Sequence, residues 1–391
     1  MSAVEFDKVD IIFGEKPESA LKLLDAGKTR DEILHETNQV LGVAEASLAV
    51  EEGQICVLMG LSGSGKSTLL RAVNGLNKVT RGRVLVRDGD QQIDVASCDA
   101  ATLRRLRMSR IAMVFQQFAL LPWRTVAENV GLGLELRGLP RAEREALVEE
   151  KLELVGLDQW GAKFAHELSG GMQQRVGLAR AFATDADILL MDEPFSALDP
   201  LIRDHLQEEL LELQRSLKKT IIFVSHDLDE ALKLGNSIAI MEGGRIIQHG
   251  EPEEIVLNPA NAYVAEFVAH MNPLKVMRGG TLMKALDSLP RDADDVLLGA
   301  DGRLRLSLGP DGAPLSARID GREIVLSKDG AGAQPGNLCS ASPDEDMTSI
   351  INLRHCSGFP VVMVEQGRCV GVCDDEAIYG GILKQGSAEV A

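Results

Sequence analysis

Two glycine-rich segments carry the clearest chemistry, and the first is Gly60-Leu-Ser-Gly-Ser-Gly-Lys-Ser67. Its glycines let the backbone curl with its N–H groups pointing inward, which makes an anion site at the start of the following helix. Lys66 is placed to reach the β- and γ-phosphates, and the Ser67 hydroxyl to ligate Mg²⁺. The pattern predicts a nucleoside triphosphate site rather than an ordinary glycine turn. The predicted ATP-binding residues here are Gly60, Ser62, Gly63, Ser64, Gly65, Lys66, Ser67 and Thr68.

An adjacent pair of carboxylates follows the short apolar run Ile188–Met191. Such a run reads as a buried strand, and ligands of an open α/β sheet bind at the carboxyl ends of its strands. One carboxylate can face the metal while its neighbour faces the attacking water. We therefore predict Asp192 as the Mg²⁺-side residue and Glu193 as the general base. A solvated turn is the usual alternative for such a pair.

Gln116 and His226 end two further runs of strand length, Ile111–Phe115 and Ile221–Val224. We expect the second run to neighbour the strand before the phosphate loop, so that His226 contacts the γ-phosphate. The Gln116 amide can bridge metal and water. Each residue alone is weak support, but together with the carboxylates they form one constellation along a single sheet edge.

The second glycine-rich segment is Leu168-Ser-Gly-Gly-Met172, ahead of a predicted helix from Gly171 to Ala183. Ser169 can cap this helix, and Gly170 with Gly171 permits close backbone approach to an anion. From the residues alone a plain helix cap remains the alternative.

The elements that position these groups alternate between strands and helices. The run Gln54–Met59 predicts a strand, Thr68–Gly75 a helix, and Asp204–Leu217 an amphipathic crossover helix. Strands over Val4–Phe13 and Val40–Val50 flank a predicted helical insert, 14–42, where Thr29 and Glu32 resemble a capping box. The fold class is α/β with a mostly parallel core sheet.

Composition excludes several classes of protein. The net charge of −18 argues against nucleic-acid binding through phosphate neutralisation. No apolar run is long enough to cross a bilayer, and Met1 does not begin a signal peptide. The six cysteines have neither disulfide-framework nor metal-site spacing, which favours reduced thiols in the cytosol. A chain of 391 residues favours two domains.

Together these motifs resemble the nucleotide-binding subunits of ABC transporters, over about residues 1 to 270. The resemblance implies the ABC-type P-loop fold, with an antiparallel β subdomain and a helical subdomain at about 117–180. It implies a homodimer in which ATP and Mg²⁺ lie between the phosphate loop of one subunit and Ser169, Gly170, Gly171 and Met172 of the other. Asp199 is then the residue that communicates across the dimer. The carrying segments, in the family's order, are Gly60–Ser67, Gln116, Leu168–Met172, Ile188–Glu193, Ser196–Asp199 and His226.

Two residues depart from the family pattern. The fifth residue of the signature, usually Gln, is Met172. The aromatic residue that stacks on adenine is often Tyr, whereas the candidate here is Phe13. Neither change removes a catalytic group.

The insert 14–42, the segment Phe118–Thr125 and the segment Phe195–Arg203 further resemble importers of quaternary amines such as glycine betaine, choline and proline betaine. This resemblance implies membrane permease subunits as partners and, through them, an extracytoplasmic solute-binding protein, with no nucleic acid. It places the chain peripherally on the cytoplasmic face of the inner membrane. The alternatives are a soluble ABC ATPase acting on nucleic acid or ribosomes, and a regulatory ATP sensor.

The remaining expectations concern domain organisation. Gln116–Leu136 is expected to face the membrane subunits, with Trp123 either in the docking surface or in the core. Residues 271–279 are expected to be a linker. Residues 280–391 resemble, more weakly, a degenerate CBS-like regulatory or dimerisation domain of α+β type; a simple packing lobe is the alternative. Within it, Lys328–Pro343 is expected to be a polar linker.

Overall fold

The computed structural model describes residues 1–269, 276–292, 295–299, 302–328 and 333–386. Contacts divide the chain into two units, Met1–Phe267 and Val268–Ala391. Most of the stretch predicted as a linker, 271–275, lies outside the described residues.

The first unit combines two sheets with helices. Its strands are β1 Ser2–Phe13, β2 Val40–Glu51, β3 Ile55–Met59, β4 Arg81–Asp88, β5 Gln91–Asp94, β6 Ile111–Val114, β7 Ile188–Asp192, β8 Thr220–Val224, β9 Ser237–Glu242 and β10 Arg245–Gly250. Its α-helices, the last of which runs past the unit boundary, are α1 Pro17–Asp25, α2 Arg30–Thr37, α3 Lys66–Val73, α4 Ala100–Ser109, α5 Val126–Val130, α6 Leu132–Leu136, α7 Arg141–Leu154, α8 Gly170–Ala183, α9 Pro200–Leu217, α10 Leu228–Leu234, α11 Pro252–Leu257 and α12 Ala262–Ala269.

The main sheet has the strand order β10-β9-β3-β8-β7-β6. Strands β9, β3, β8, β7 and β6 are parallel, and only β10 at the edge pairs antiparallel within this sheet. Every residue of β3, β7 and β8 is buried, as expected for parallel strands covered on both faces. Because β8 lies directly beside β3, the carboxyl ends of the phosphate-loop strand and the His226 strand meet at one edge.

The second sheet, of order β2-β1-β4-β5, is antiparallel throughout. The insert between β1 and β2 forms α1 and α2, and its own small core joins Ala20, Leu24 and Ile33 to Leu41 of β2. The predicted capping box is present, because Thr29 and Glu32 exchange side-chain and backbone hydrogen bonds at the start of α2.

Two helix starts differ from the sequence prediction. Helix α3 spans Lys66–Val73 instead of Thr68–Gly75, because Gly65 closes the phosphate loop in a left-handed conformation and Gly75, with φ of +66°, lies beyond the helix end. Helix α9 starts at Pro200, earlier than the predicted Asp204. A proline is well suited to the first helical position, because its missing N–H has no partner there anyway.

The second unit holds two five-stranded sheets, of order β11-β20-β19-β18-β17 and β12-β13-β14-β15-β16. One core cluster contains residues of both sheets. The elements are β11 Lys284–Ala285, β12 Arg291–Asp292, β13 Asp295–Leu298, β14 Leu304–Leu308, β15 Pro314–Ile319, β16 Arg322–Ile324, β17 Leu326–Ser327, β18 Leu338–Ala341, β19 Val361–Glu365 and β20 Arg368–Cys373, with helices α13 Gly279–Leu282, α14 Met347–Ser357 and α15 Asp375–Gly386.

The prediction of a polar linker over Lys328–Pro343 was wrong at β18. All four residues of Leu338–Ala341 are buried, because this strand lies inside its sheet with β17 on one side and β19 on the other. The four residues of this strand, of which Ser340 is polar, are too few to show a strand pattern in the sequence.

Over the described ranges, no helix combines the length and apolarity needed to cross a membrane.

Candidate nucleotide-binding site

The backbone of the phosphate loop requires glycine at two points of close approach. Gly60 has φ of +137°, and a Cβ atom there would lie 2.1 Å from the carbonyl oxygen of Met241. Gly65 has φ of +102°, and its Cβ would lie 2.5 Å from the carbonyl oxygen of Gly42. Any side chain at either position would collide with fixed backbone. The loop can therefore curl tightly between β3 and α3, as the sequence pattern predicts.

Lys66 lies within the curl of this loop. Its Nζ donates to the carbonyl oxygens of Gly60 at 2.8 Å and Leu61 at 2.9 Å. The side chain is buried, and burial lowers the pKa of its ammonium group, while the carboxylates of Glu193 and Asp192 raise it. A desolvated cation held by neutral carbonyls is well placed to bind an anion that enters the loop.

Ser67 and Asp192 contact each other directly, although they belong to α3 and β7. The Ser67 hydroxyl donates to Asp192 Oδ1 at 2.7 Å, and Arg71 donates to Asp192 Oδ2 at 2.8 Å. Asp192 is fully buried. Sequence reasoning missed Arg71, yet its position four residues after Ser67 places both on one face of α3.

Glu193, Gln116 and His226 converge at the neighbouring strand ends. Gln116 Nε2 donates to Glu193 Oε2 at 3.0 Å, and His226 Nδ1 lies 3.6 Å from the same oxygen. Glu193 itself has φ of +48°, an unusual value for a residue other than glycine. The structure thus brings the four side chains predicted at strand ends, including Asp192, to one sheet edge.

A cavity of about 420 Å³ opens over these groups. Gly60 and Ser64 do not line the cavity. Ser64 is buried in the loop, and its hydroxyl lies 3.4 Å from Lys66 Nζ. The lining residues are Phe13, Arg30, Val40, Gly42, Ser62, Gly63, Gly65, Lys66, Ser67, Thr68, Gln116, Glu193 and His226.

Phe13 forms one wall of the cavity at the end of β1, and its side chain is 42% exposed. A Cβ atom on Gly42 would lie 2.8 Å from Phe13 Cε2, so the ring lies against a glycine that leaves room for it. This accessible aromatic face is suited to stacking on a base.

Gln174, on α8, is a site residue that sequence reasoning missed. Its Nε2 donates to the carbonyl oxygen of Glu193 and its Oε1 accepts from the backbone N–H of Ala197, both at 3.0 Å. The side chain is buried. It therefore fixes the backbone on both sides of the turn that follows β7. Nothing in the local sequence pattern signals this long-range pairing.

The second glycine-rich segment lies outside this cavity. Ser169 caps α8 by accepting from the Met172 N–H at 3.4 Å, and neither residue lines the cavity, nor do Gly170 and Gly171. Asp199 is the N-cap residue of α9 but makes no side-chain capping bond, so its carboxylate does not satisfy the helix start. The chain's own signature segment thus does not line the cavity over its phosphate loop.

The donor atoms beside the phosphate loop fit Mg²⁺. The Ser67 hydroxyl, the buried Asp192 carboxylate and the Gln116 amide all offer oxygen, the ligand that Mg²⁺ prefers. This small number of protein ligands is appropriate for Mg²⁺, because the ion usually keeps waters and substrate phosphates in its coordination shell.

The parallel sheet, the glycine loop before α3 and the polar strand ends define a P-loop nucleoside triphosphatase. The family described as "ABC transporter" matches residues 43–196, and a second, "AAA domain, putative AbiEii toxin, Type IV TA system", matches residues 164–232.

Named relatives narrow the class. The chain is 49% identical over 289 residues to a glycine betaine transport ATP-binding protein of Bacillus subtilis. The aligned region makes up 74% of this chain and 68% of that protein. It is 53% identical over 256 residues to a glycine betaine/proline betaine transport system ATP-binding protein of Escherichia coli, covering 66% of this chain and 63% of the relative. A glycine betaine/carnitine transport ATP-binding protein of Listeria monocytogenes is 49% identical, with coverages of 72% and 70%.

The chain therefore belongs to the ATP-binding proteins of ABC transporters, which are ATPases. A solved ATP-binding cassette, described as a dimer in a post-hydrolysis state bound to ADP and Pi, superposes with a TM-score of 0.55 at 29% identity. The match covers 64% of this chain and 98% of that one. The predicted ABC-type fold of the first unit is confirmed.

Proposed function

We propose that the chain is the ATP-hydrolysing subunit of an ABC importer that takes up a quaternary amine, such as glycine betaine, choline or proline betaine, through separate membrane permeases. The names of the relatives support import of such solutes over the alternatives of a nucleic-acid machine or an ATP sensor. The observation that carries hydrolysis is the approach of Gln116 and His226 to one oxygen of Glu193 beside the Ser67–Asp192 pair.

In this mechanism the phosphate loop binds the triphosphate through its backbone N–H groups, and Lys66 exchanges its loop carbonyls for phosphate oxygens. Glu193 accepts the proton of the attacking water, which the Gln116 amide orients. His226, whose side chain is 66% exposed at the cavity rim, donates to the γ-phosphate. Ser67, Asp192 and Gln116 would hold Mg²⁺, which would supply positive charge against the charge that develops on the phosphates.

The reaction chamber is completed by a second copy of the chain. Ser169, Gly170, Gly171 and Met172 lie outside the chain's own cavity, so they are available to cover the nucleotide of a partner. Asp199, whose carboxylate makes no capping bond, is placed to contact the partner at the same junction. The dimeric state of the similar solved cassette supports this arrangement.

The permease surface we propose is a groove of about 320 Å³ beside α6 and α8. Leu76 and Leu136 line it and are 49% and 66% exposed, while Trp123, 70% exposed, is clearly not core. Arg180 donates to the carbonyl oxygens of Phe118 and Ala119 at 2.9 and 2.6 Å, which holds the segment after Gln116 against α8. Docking here places the chain peripherally at the cytoplasmic membrane face, with an extracytoplasmic solute-binding protein reached through the permease.

Residues 280–391 serve, in this proposal, as a degenerate CBS-like regulatory or dimerisation domain. The order β18, α14, β19, β20, α15 gives one compact β-α-β-β-α module, which supports the likeness. The preceding half instead forms the antiparallel strands β12 to β16.

The experiment is Glu193→Gln in the full chain, assayed for Mg-ATP binding and turnover. Removal of the base should lower kcat by about 10²–10⁴-fold while binding persists. Turnover at the wild-type rate would reject the catalytic role. Transport is tested by reconstitution with the cognate permease and binding protein, where glycine betaine should stimulate ATP hydrolysis in the wild type but not in E193Q.

A further inference from the structure

Arg30, in the helical insert, contacts the phosphate loop. Its NH1 donates to the carbonyl oxygen of Gly63 at 2.6 Å, across 33 residues of sequence, and the side chain lines the nucleotide cavity. The roles proposed for Lys66, Gln116, Glu193 and His226 do not involve this residue. The contact shows that the insert, which interrupts the antiparallel sheet, reaches the ATP site.

The position of Arg30 is fixed by the insert's own structure. It is the first residue of α2, whose start is closed by the capping box of Thr29 and Glu32. Ile33, one turn later, is fully buried in the insert core. Arg81 also ties the insert to the sheet, since it binds Asp25 of α1 and the buried Asp10 of β1.

Arg30 and the nearby Lys28 differ in their ion pairs within the described ranges. In the described part of the chain Arg30 takes part in no ion pair, whereas Lys28, two residues earlier, pairs with both Glu32 and Glu36. The Arg30 side chain, only half-buried, keeps further N–H donors beyond the one given to Gly63. Lys28 is therefore paired on the surface, whereas Arg30 faces the cavity.

Arg30 and Lys66 share one arrangement, because both cations donate to backbone carbonyls of the same loop. A bond to phosphate joins two ionised groups, whereas a bond to a carbonyl has an ionised donor only, so an incoming triphosphate competes well for both cations. We propose that Arg30 is a second phosphate-binding cation of the nucleotide site, contributed by the insert. This rests on the proposed ATP function; arginine's planar fork suits phosphate oxygens.

The test measures binding of Mg-ATP and of adenosine to the full chain by calorimetry, for wild type, R30Q, R30K and the matched control K28Q. R30Q should weaken Mg-ATP binding about tenfold or more, as for a lost charge-assisted hydrogen bond, with adenosine affinity unchanged. R30K, which keeps the charge without the fork, should lose less. K28Q should bind both ligands like the wild type.

Two outcomes would overturn the proposal while the ATP function stands: R30Q binds Mg-ATP like the wild type, or it loses affinity for adenosine by the same factor as for Mg-ATP. An unchanged thermal unfolding midpoint shows that R30Q folds. If R30Q does not fold, R30K is the deciding variant, and wild-type affinity of R30K for Mg-ATP would overturn the proposal. Failure of the wild type to bind Mg-ATP would reject the ATP function itself, and this inference with it.

Discussion

The Ser67 hydroxyl donates a 2.7 Å hydrogen bond to the buried carboxylate of Asp192, which joins the start of α3 to the end of β7. We predict that Ser67→Ala removes most of the Mg²⁺-dependent part of ATP binding, because one of the oxygens proposed to ligate the metal is lost. The check is the rise in thermal unfolding midpoint with ATP, measured with Mg²⁺ and with EDTA. S67T, which keeps the hydroxyl, is the matched control; a full Mg²⁺ effect in S67A would contradict the assignment.

Phe13→Ala should weaken ATP binding about tenfold, since stacking on an aromatic side chain contributes about 1–3 kcal/mol per base. F13Y keeps the ring and should bind like the wild type. Gly42→Ala should act in the same direction as F13A, because its new methyl group would push the ring from its place. Equilibrium binding decides the matter, and wild-type affinity in F13A would remove Phe13 from the site.

Gln174→Leu should slow turnover more than it weakens ATP binding, because it releases the backbone that orients Glu193. The Ala197 N–H, left unpaired, should also cost about 1–3 kcal/mol of unfolding free energy, whereas the Glu193 carbonyl still accepts from the Ser196 hydroxyl. Gln248 offers a matched control, because it likewise bridges two backbone groups, of Asn258 and Ala260, and does not line the cavity. If Q174L and Q248L show equal kcat, Gln174 is merely structural.

Glu230 predicts a pH dependence of stability. Burial raises the pKa of its carboxyl above the ordinary 4.5 and Asp227 adds to this, while hydrogen bonds from Ser225 and Gln207 and the charge of Arg203 oppose it. The folded protein then holds the proton more tightly than the unfolded chain, so this stabilisation is present below pH 4.5 and lost as pH rises above it. Urea unfolding of wild type and E230Q should show E230Q gaining stability relative to the wild type as the pH rises above 4.5. Parallel pH profiles would contradict the burial argument.

The sequence was sufficient to predict that the polar side chains at the strand ends lie together. The carboxyl ends of parallel strands share one edge of the sheet. The sequence alone therefore predicted that Gln116, Glu193 and His226 lie close together. The apolar runs over β3, β7 and β8 were equally clear, because strands covered on both faces carry few polar residues.

The contacts that support this edge were not predictable. Gln174 and Arg30 act on backbone groups 19 and 33 residues away, and no periodicity encodes such pairings. Strand β18 was missed for a different reason. Its four residues show no strand pattern of their own, and pairing with β17 on one side and β19 on the other holds them in the sheet.

We propose that each reaction chamber needs a second copy of the chain, and light scattering of E193Q with Mg-ATP is the decisive test of this dimer. At a concentration where the nucleotide-free sample has the 42.2 kDa mass of one chain, Mg-ATP should raise the mass toward twice that value. Adding Ser169→Arg to E193Q should prevent this rise without preventing ATP binding. A mass that stays at 42.2 kDa with saturating Mg-ATP, while the wild type hydrolyses ATP at a per-chain rate independent of dilution, would contradict the account.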